Sequence, residues 1–140
     1  MGHLPQKLRD TVRRRARYRC EYCLIPEKYH PLQKLHVDHI FSKKHGGQTE
    51  LSNLALACAE CNRKKGIAIG SRKHAEDAFI PLFNPRTDKW NEHFELNWAI
   101  IRPQTDIGEI TVKILGLNED VRIAFREYLM LIGAYPPSSK

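Results

Sequence analysis

Four cysteines fall into two pairs with the same internal spacing, Cys20 with Cys23 and Cys58 with Cys61. Two residues between cysteines allow one tight turn to direct both sulfur atoms at a single ion, and two such turns complete a tetrahedral site. Because the chain starts with no secretory signal, we favour zinc over disulfide bonds or free thiols. Four thiolate ligands leave no open position on zinc, so the predicted site is structural and not catalytic.

A second group of polar residues lies between the cysteine pairs and just after them: Asp38, His39, Asn53 and Asn62. An imidazole with a pKa of about 6.5 is largely neutral yet basic near pH 7, so His39 is a candidate general base. The oxygens of Asp38 and Asn62 suit Mg²⁺ or Mn²⁺ better than zinc. A base, a hard cation and a scaffold that holds them are what phosphodiester hydrolysis needs.

The order of these residues resembles the motif of the HNH endonucleases, the ββα-metal nucleases, in the form whose third letter is Asn. The resemblance covers residues 20–66, a third of the chain. It implies that His39 is the general base of a DNA-cleaving enzyme that leaves 5′-phosphate and 3′-hydroxyl ends. It also implies that Asn53 fastens the loop and so orients His39, through bonds from its side chain to the backbone. The matching elements are Asp38-His39-Ile40, Gly46-Gly47, Asn53-Leu54 and Cys61-Asn62-x-x-Lys65.

The neighbouring positions of Asp38 and His39 raise a geometric question. Successive side chains of a regular strand point to opposite faces, so the strand has to bend or end there if both are to address one phosphate. His36 lies two residues before Asp38 and shares its predicted face. It is either an additional ligand or phosphate contact, or a surface or outer-shell histidine, and we favour the second interpretation.

The charge is concentrated in the first half of the chain. Residues 1–75 carry 16 Lys and Arg against 6 Asp and Glu, a net charge of +10, whereas residues 76–140 carry 7 and 10, a net charge of −3. The arginines of residues 9–19 are either a solvated helix face or phosphate contacts. Arg63, Lys64 and Lys65 follow the proposed metal ligand Asn62 and are the preferred nucleic-acid-binding residues.

The resemblance and the hydrophobic periodicity together predict an α+β fold. We expect a ββα-metal core stapled by a four-cysteine zinc site, with an N-terminal helix and a C-terminal β-hairpin plus helix. Helices are predicted over residues 5–18, 59–65 and 73–80 and from 118 onward, and strands over 34–40, 94–100 and 110–114, with a turn at 45–47. The predicted buried stripe of the last helix is Val121, Phe125, Tyr128, Leu129 and Ile132.

We expect one domain over residues 1–140. It consists of a basic, zinc-stapled part (1–75), a C-terminal scaffold extension (76–135) and a frayed tail (136–140). In the extension Arg86 and His93 are candidates to reach nucleic acid, whereas Phe83, Trp90 and Phe94 are more simply core residues. No apolar run approaches the roughly 18 residues of a membrane span, so we expect a cytoplasmic protein without a membrane partner.

Two other classes of function compete with a nuclease. A non-catalytic zinc module could bind nucleic acid through the same basic half, and both hypotheses predict salt-sensitive binding. An adaptor that presents its zinc loop to a protein partner is least favoured because of the excess of cationic groups. If the protein is a nuclease, double-strand cutting calls for a homodimer or for repeated encounters, because one site cuts one strand.

Overall fold

A computed structural model describes residues 4–30 and 34–138 of the chain and confirms the α+β fold. Its strands pair as three separate two-stranded antiparallel sheets, β1 with β2, β3 with β4 and β5 with β6. The helices are α1 (Gln6–Arg15), α2 (Ala59–Lys65), α3 (Trp90–His93), α4 (Asp106–Leu115) and α5 (Asp120–Leu131). The strands are β1 (His36–His39), β2 (Leu54–Ala57), β3 (Gly70–Ser71), β4 (Ile80–Pro81), β5 (Phe94–Asn97) and β6 (Ile100–Pro103).

The first sheet and the helix that follows it form a ββα unit. In the antiparallel β1–β2 pair, His36 lies opposite Ala57 and His39 lies opposite Leu54. All four residues of β2 are buried, and α2 starts two residues after its end. Cys58 caps α2 because its sulfur accepts a hydrogen bond from the backbone N–H of Cys61. The unit therefore ties one cysteine pair to the strand that carries Asp38 and His39.

The C-terminal hairpin exists, but its turn falls inside the predicted strand 94–100, and residues 110–114 are not its second strand. β5 pairs with β6 through a two-residue turn, whereas residues 110–114 belong to α4. The alternating Ile110, Val112 and Ile114 suggested a strand, but the helix is fixed at both ends. Thr105 caps its start by accepting a hydrogen bond from the N–H of Gly108 at 3.1 Å, and Gly116 ends it in the left-handed conformation.

A second misassigned element is the helix predicted over residues 73–80. The structure has bends and turns there, followed by β4, which pairs with β3. The segment is mostly exposed, including Phe79 at 55%, so it buries no apolar face that could stabilise a short helix by packing.

Helix α5 begins close to its predicted start but buries a different face. Val121 is 73% exposed, Tyr128 is 57% exposed and Ile132 is 53% exposed, so the predicted stripe is wrong at these three positions. Leu129 is buried as predicted, but Arg122 and Arg126 are the other buried residues of this helix. The Arg126 side chain donates hydrogen bonds to the carbonyl of Ala99 at 2.7 Å and to Oδ1 of Asn118 at 3.1 Å, which offsets the cost of its burial.

A single hydrophobic cluster contains residues from both the basic part and the C-terminal extension. Phe83 and Phe94 are buried in it and Trp90 packs against it, as predicted. Of the predicted tail 136–140, residues 139 and 140 lie outside the described part of the chain. None of the helices in residues 4–30 and 34–138 is both long enough and apolar enough to cross a membrane.

Candidate functional site

Three of the residues predicted to do chemistry line one open cavity of about 600 Å³: Asp38, His39 and Asn62. Strand β1 supplies Asp38 and His39, and it ends at His39, as the geometric argument required. Helix α2 supplies Asn62. His36 also lines the cavity and is exposed.

His39 is held by a residue that no sequence motif singled out. Its Nε2 lies 2.8 Å from the hydroxyl oxygen of Thr49, in the loop between β1 and β2. Burial lowers the pKa of His39 below its usual value, the charge of Lys43 lowers it further, and Asp38 acts in the opposite direction. The ring is therefore neutral and able to accept a proton at neutral pH.

Asn53 fastens the loop through hydrogen bonds from its side chain to the backbone. Its Oδ1 accepts a hydrogen bond from the N–H of Phe41, and its Nδ2 donates to the carbonyls of Phe41 and Gln48, each at 2.9 Å. Gly47 packs against this clamp so closely that a Cβ there would lie 1.7 Å from the carbonyl oxygen of Phe41. The clamp fixes the chain two residues after His39, whereas Asn53 itself is absent from the cavity lining.

The carboxylate of Asp38 forms a buried ion pair with Lys65. The distance from Nζ to Oδ2 is 3.1 Å, and the side chains are 2% and 10% exposed for Lys65 and Asp38. The same Nζ donates a hydrogen bond to the carbonyl of His39 at 2.9 Å. Burial raises the pKa of Asp38, and the Lys65 charge partly offsets this. Lys65 was predicted to contact nucleic acid; in the structure its ammonium group is buried and holds the end of β1, so it presents no exposed charge to a phosphate.

Replacing Lys65 by Met should destabilise the fold, because it leaves the Asp38 carboxylate buried without a partner. Loss of one partner of such a pair costs about 3–5 kcal/mol in the free energy of unfolding. Urea unfolding measures this, with Lys64→Met as the matched control. Lys64 pairs with Glu119 near the surface, so its loss should cost less than about 1 kcal/mol. Adding Asp38→Asn to Lys65→Met should restore part of the stability, and equal costs for Lys64→Met and Lys65→Met would contradict the assigned role of Lys65.

The four cysteines form a closed cluster in the interior. Their sulfur atoms all lie within 4.8 Å of one another, and Sγ of Cys23 is 3.8 Å from Sγ of Cys58. Four sulfurs about 2.3 Å from one zinc ion in a tetrahedron are about 3.8 Å apart, so the cluster has the size of a metal site. Hydrogen bonds from the other three cysteines lower the pKa of Cys23, whereas burial raises that of Cys20.

The sulfur atoms accept hydrogen bonds from two kinds of donor. Sγ of Cys20 accepts from the backbone N–H of Cys23, and Sγ of Cys58 from that of Cys61, both at 3.4 Å. Sγ of Cys61 accepts at 2.9 Å from the guanidinium of Arg122, a residue of α5 that the sequence analysis missed. Burial opposes the charge of Arg122, but the neighbouring thiolates raise its pKa above the usual value.

The other basic residues predicted to bind nucleic acid are engaged with carboxylates or, for His93, with a hydroxyl. Arg63 pairs with Glu60 at 2.8 Å and Lys64 pairs with Glu119. Arg86 forms an ion pair with Glu21, and Nδ1 of His93 lies 2.6 Å from the hydroxyl of Thr105. By contrast, three basic side chains that line the cavity form no ion pair within residues 4–30 and 34–138; they are Arg9, Lys43 and Lys44.

Comparison with known proteins bears on one segment of the chain. Residues 20–67 match the family model described as HNH endonuclease. Neither the search of curated proteins nor the search of solved structures gave a match. The matched segment contains both cysteine pairs, the β1–β2 sheet, α2 and the cavity residues Asp38, His39 and Asn62. Residues 20–67 therefore match the HNH endonuclease family, the nuclease family that the motif indicated.

Proposed function

We propose that this protein is a metal-dependent endonuclease that hydrolyses DNA phosphodiester bonds. Zinc in the cysteine cluster is structural, and Mg²⁺ or Mn²⁺ in the cavity is catalytic. The observation that supports the proposal most directly is the convergence of His39, Asp38 and Asn62 on one open cavity. A base and two hard oxygen donors around one solvent-accessible space are the parts that metal-assisted hydrolysis requires.

The donors around the cavity fit a hard divalent cation. Lys65 engages Asp38 through Oδ2, which leaves Oδ1 available, and within the described residues no hydrogen bond occupies the side-chain amide of Asn62. When bound, Mg²⁺ or Mn²⁺ supplies positive charge where negative charge develops on the phosphate and the departing 3′ oxygen. With only two protein ligands, metal affinity should be modest and should depend partly on the phosphate of the substrate.

The chain's own residues prepare the attacking water. With Nε2 of His39 held by Thr49, Nδ1 is the ring nitrogen that takes the proton from water. Thr49 and the Asn53 clamp restrict the orientation of the ring and of the loop that follows it. Lys65 holds the carbonyl of His39 and the carboxylate of Asp38 together, so the base and the metal ligand keep a fixed separation.

DNA is the proposed partner, with phosphates contacted first by Lys43 and Lys44. Both lie on the turn just after β1, and they line the cavity. Arg63 and Lys64 remain candidates, but binding DNA would require their ion pairs with Glu60 and Glu119 to open.

Changing Lys43 and Lys44 together to Gln should weaken DNA binding and reduce its salt dependence. Each lost phosphate contact lowers the slope of log affinity against log salt by about 0.9, so we expect a reduction of about 1.8. Fluorescence anisotropy at several salt concentrations measures the slope. The matched control is the Arg63→Gln, Lys64→Gln double variant, which removes the same charge and should change the slope less. A larger change in the control would indicate that α2, and not Lys43 and Lys44, contacts the DNA phosphates.

The proposed function is tested with supercoiled plasmid DNA. Incubation with Mg²⁺ or Mn²⁺ should give relaxed or linear DNA, and EDTA should stop the reaction. Product ends that a ligase joins without prior kinase treatment would support the 5′-phosphate and 3′-hydroxyl assignment. Salt-sensitive binding with no cutting under any divalent ion would refute the enzyme and leave a nucleic-acid-binding module.

A further inference from the structure

The C-terminal extension reaches the cysteine cluster with polar side chains. Nη2 of Arg122, on α5, donates a hydrogen bond to Sγ of Cys61 at 2.9 Å. The hydroxyl of Tyr135 donates to the carbonyl of Cys23 at 2.8 Å. Both donors lie outside the segment that matches the HNH family, which ends at residue 67. The surroundings of the cluster are thus shared between the HNH domain and the chain that follows it.

The guanidinium of Arg122 is held in place by a second element. Its Nη1 donates to the carbonyl of Leu115 at 2.6 Å and to that of Gly116 at 3.3 Å, at the end of α4. The last carbonyls of a helix carry partial negative charge and attract a cation. The residue is only 7% exposed, so the side chain spans from the end of α4 to Cys61 through the protein interior.

The net charge of the zinc-bound cluster explains why a contact between Arg122 and Cys61 is favourable. A zinc ion with four thiolates has a net charge of −2, and a net charge in the interior is costly unless nearby groups compensate it. Cys20 and Cys58 accept backbone N–H groups, which are neutral. Arg122 gives Cys61 a charge-assisted bond and reduces the local net charge to −1.

We propose that Arg122 is a positioning and charge-compensating residue of the zinc site, through which the C-terminal extension sets how tightly the HNH domain holds zinc. The inference rests on the zinc assignment made above and not on DNA cleavage. It can therefore be tested on the full chain without any nucleic acid.

The first experiment is a zinc competition titration against a chromophoric chelator. Loss of a hydrogen-bond partner of a metal ligand lowers metal affinity by about 10–100-fold, which is the change expected for Arg122→Met. Arg126→Met is the matched control because Arg126 is buried on the same helix and bonds to Ala99 and Asn118, not to sulfur. We expect the affinity of the control to stay close to that of the wild type, and Arg122→Lys to be intermediate.

The second experiment reads the sulfur contact directly and does not depend on stability. In the cobalt(II)-substituted protein, loss of the N–H···S bond raises the energy of the sulfur electrons. The thiolate-to-cobalt charge-transfer band should therefore move to longer wavelength in Arg122→Met, move less in Arg122→Lys and stay in place in Arg126→Met. If Arg122→Met does not fold, the wavelength of the charge-transfer band in Arg122→Lys is the measurement that tests the contact.

The outcomes separate this inference from the proposed function. A wild-type chain that binds no zinc would overturn both the zinc assignment and the role of Arg122. Tight zinc binding by the wild type, with affinity and charge-transfer band unchanged in both Arg122 variants, would overturn the role of Arg122 alone. An equal loss of affinity in Arg126→Met would also overturn it, because a general loss of packing would then explain the effect.

Discussion

Replacing His39 by Ala should lower the rate of metal-dependent DNA cleavage by about 10²–10⁴-fold, the usual contribution of a general base. His39 lines the cavity with both proposed metal ligands, and its lowered pKa keeps the ring neutral at the pH of the reaction. The measurement is the initial rate of plasmid relaxation at saturating Mn²⁺. Zinc content and DNA affinity should stay close to those of the wild type, because the His39 ring bonds to Thr49 and lies outside the cysteine cluster.

His36→Ala is the matched control for this result. His36 lies on the same strand and lines the same cavity, but it is exposed. Its loss should change the rate by less than about 10-fold, a smaller effect than general-base removal gives. If His36→Ala and His39→Ala were equally impaired, or if His39→Ala retained the full rate, His39 would not be the base.

Removing zinc should unfold the basic part of the protein. Structural zinc sites contribute an apparent free energy of about 10–16 kcal/mol in small zinc-finger peptides, where binding and folding are coupled. The four cysteines belong to the buried cluster of this chain, whereas Phe41, the single Phe or Trp of residues 1–75, is 44% exposed. A strong chelator should therefore abolish cooperative thermal unfolding measured by circular dichroism, and Cys58→Ser should have the same effect.

Selective addition of metal distinguishes the two proposed sites. After chelation, one equivalent of Zn²⁺ should restore the cooperative transition without restoring cleavage, and Mg²⁺ or Mn²⁺ should then restore cleavage. A chain that unfolds with the same midpoint in the presence of the chelator would contradict a structural role for zinc. Cleavage restored by zinc alone would contradict the assignment of a separate hard cation.

The cysteine site and α2 of the basic part could be predicted because the residues that define them lie close together in the sequence. Two Cys-x2-Cys pairs define a site by spacing alone, and α2 was predicted with its observed bounds. The interior position of Lys65 was also within reach, since it lies four residues after Cys61 and four-residue spacing puts both on one helix face. Thr49 carried no such signal, because its contact with His39 depends on the path of an irregular loop.

The C-terminal extension was harder to predict because its hydrophobic pattern is compatible with either a strand or a helix. Ile110, Val112 and Ile114 alternate as in a strand, yet the caps at Thr105 and Gly116 determine a helix. In α5, hydrophobicity favoured the face of Val121 and Tyr128, but the arginines of the opposite face are buried because carbonyls and a thiolate of other elements receive their donors. Such partners come from tertiary packing and leave no trace in the local sequence.

The position of manganese in a crystal would decide whether a hard cation lies beside His39, as the proposed chemistry requires. Crystals of the zinc-loaded protein soaked in Mn²⁺ should be measured at the manganese absorption edge. We expect an anomalous peak in the cavity with oxygens of Asp38 and Asn62 as ligands, and no manganese among the four cysteines. A peak elsewhere on the protein, with Asp38 and Asn62 turned away from each other, would contradict the proposed catalytic site.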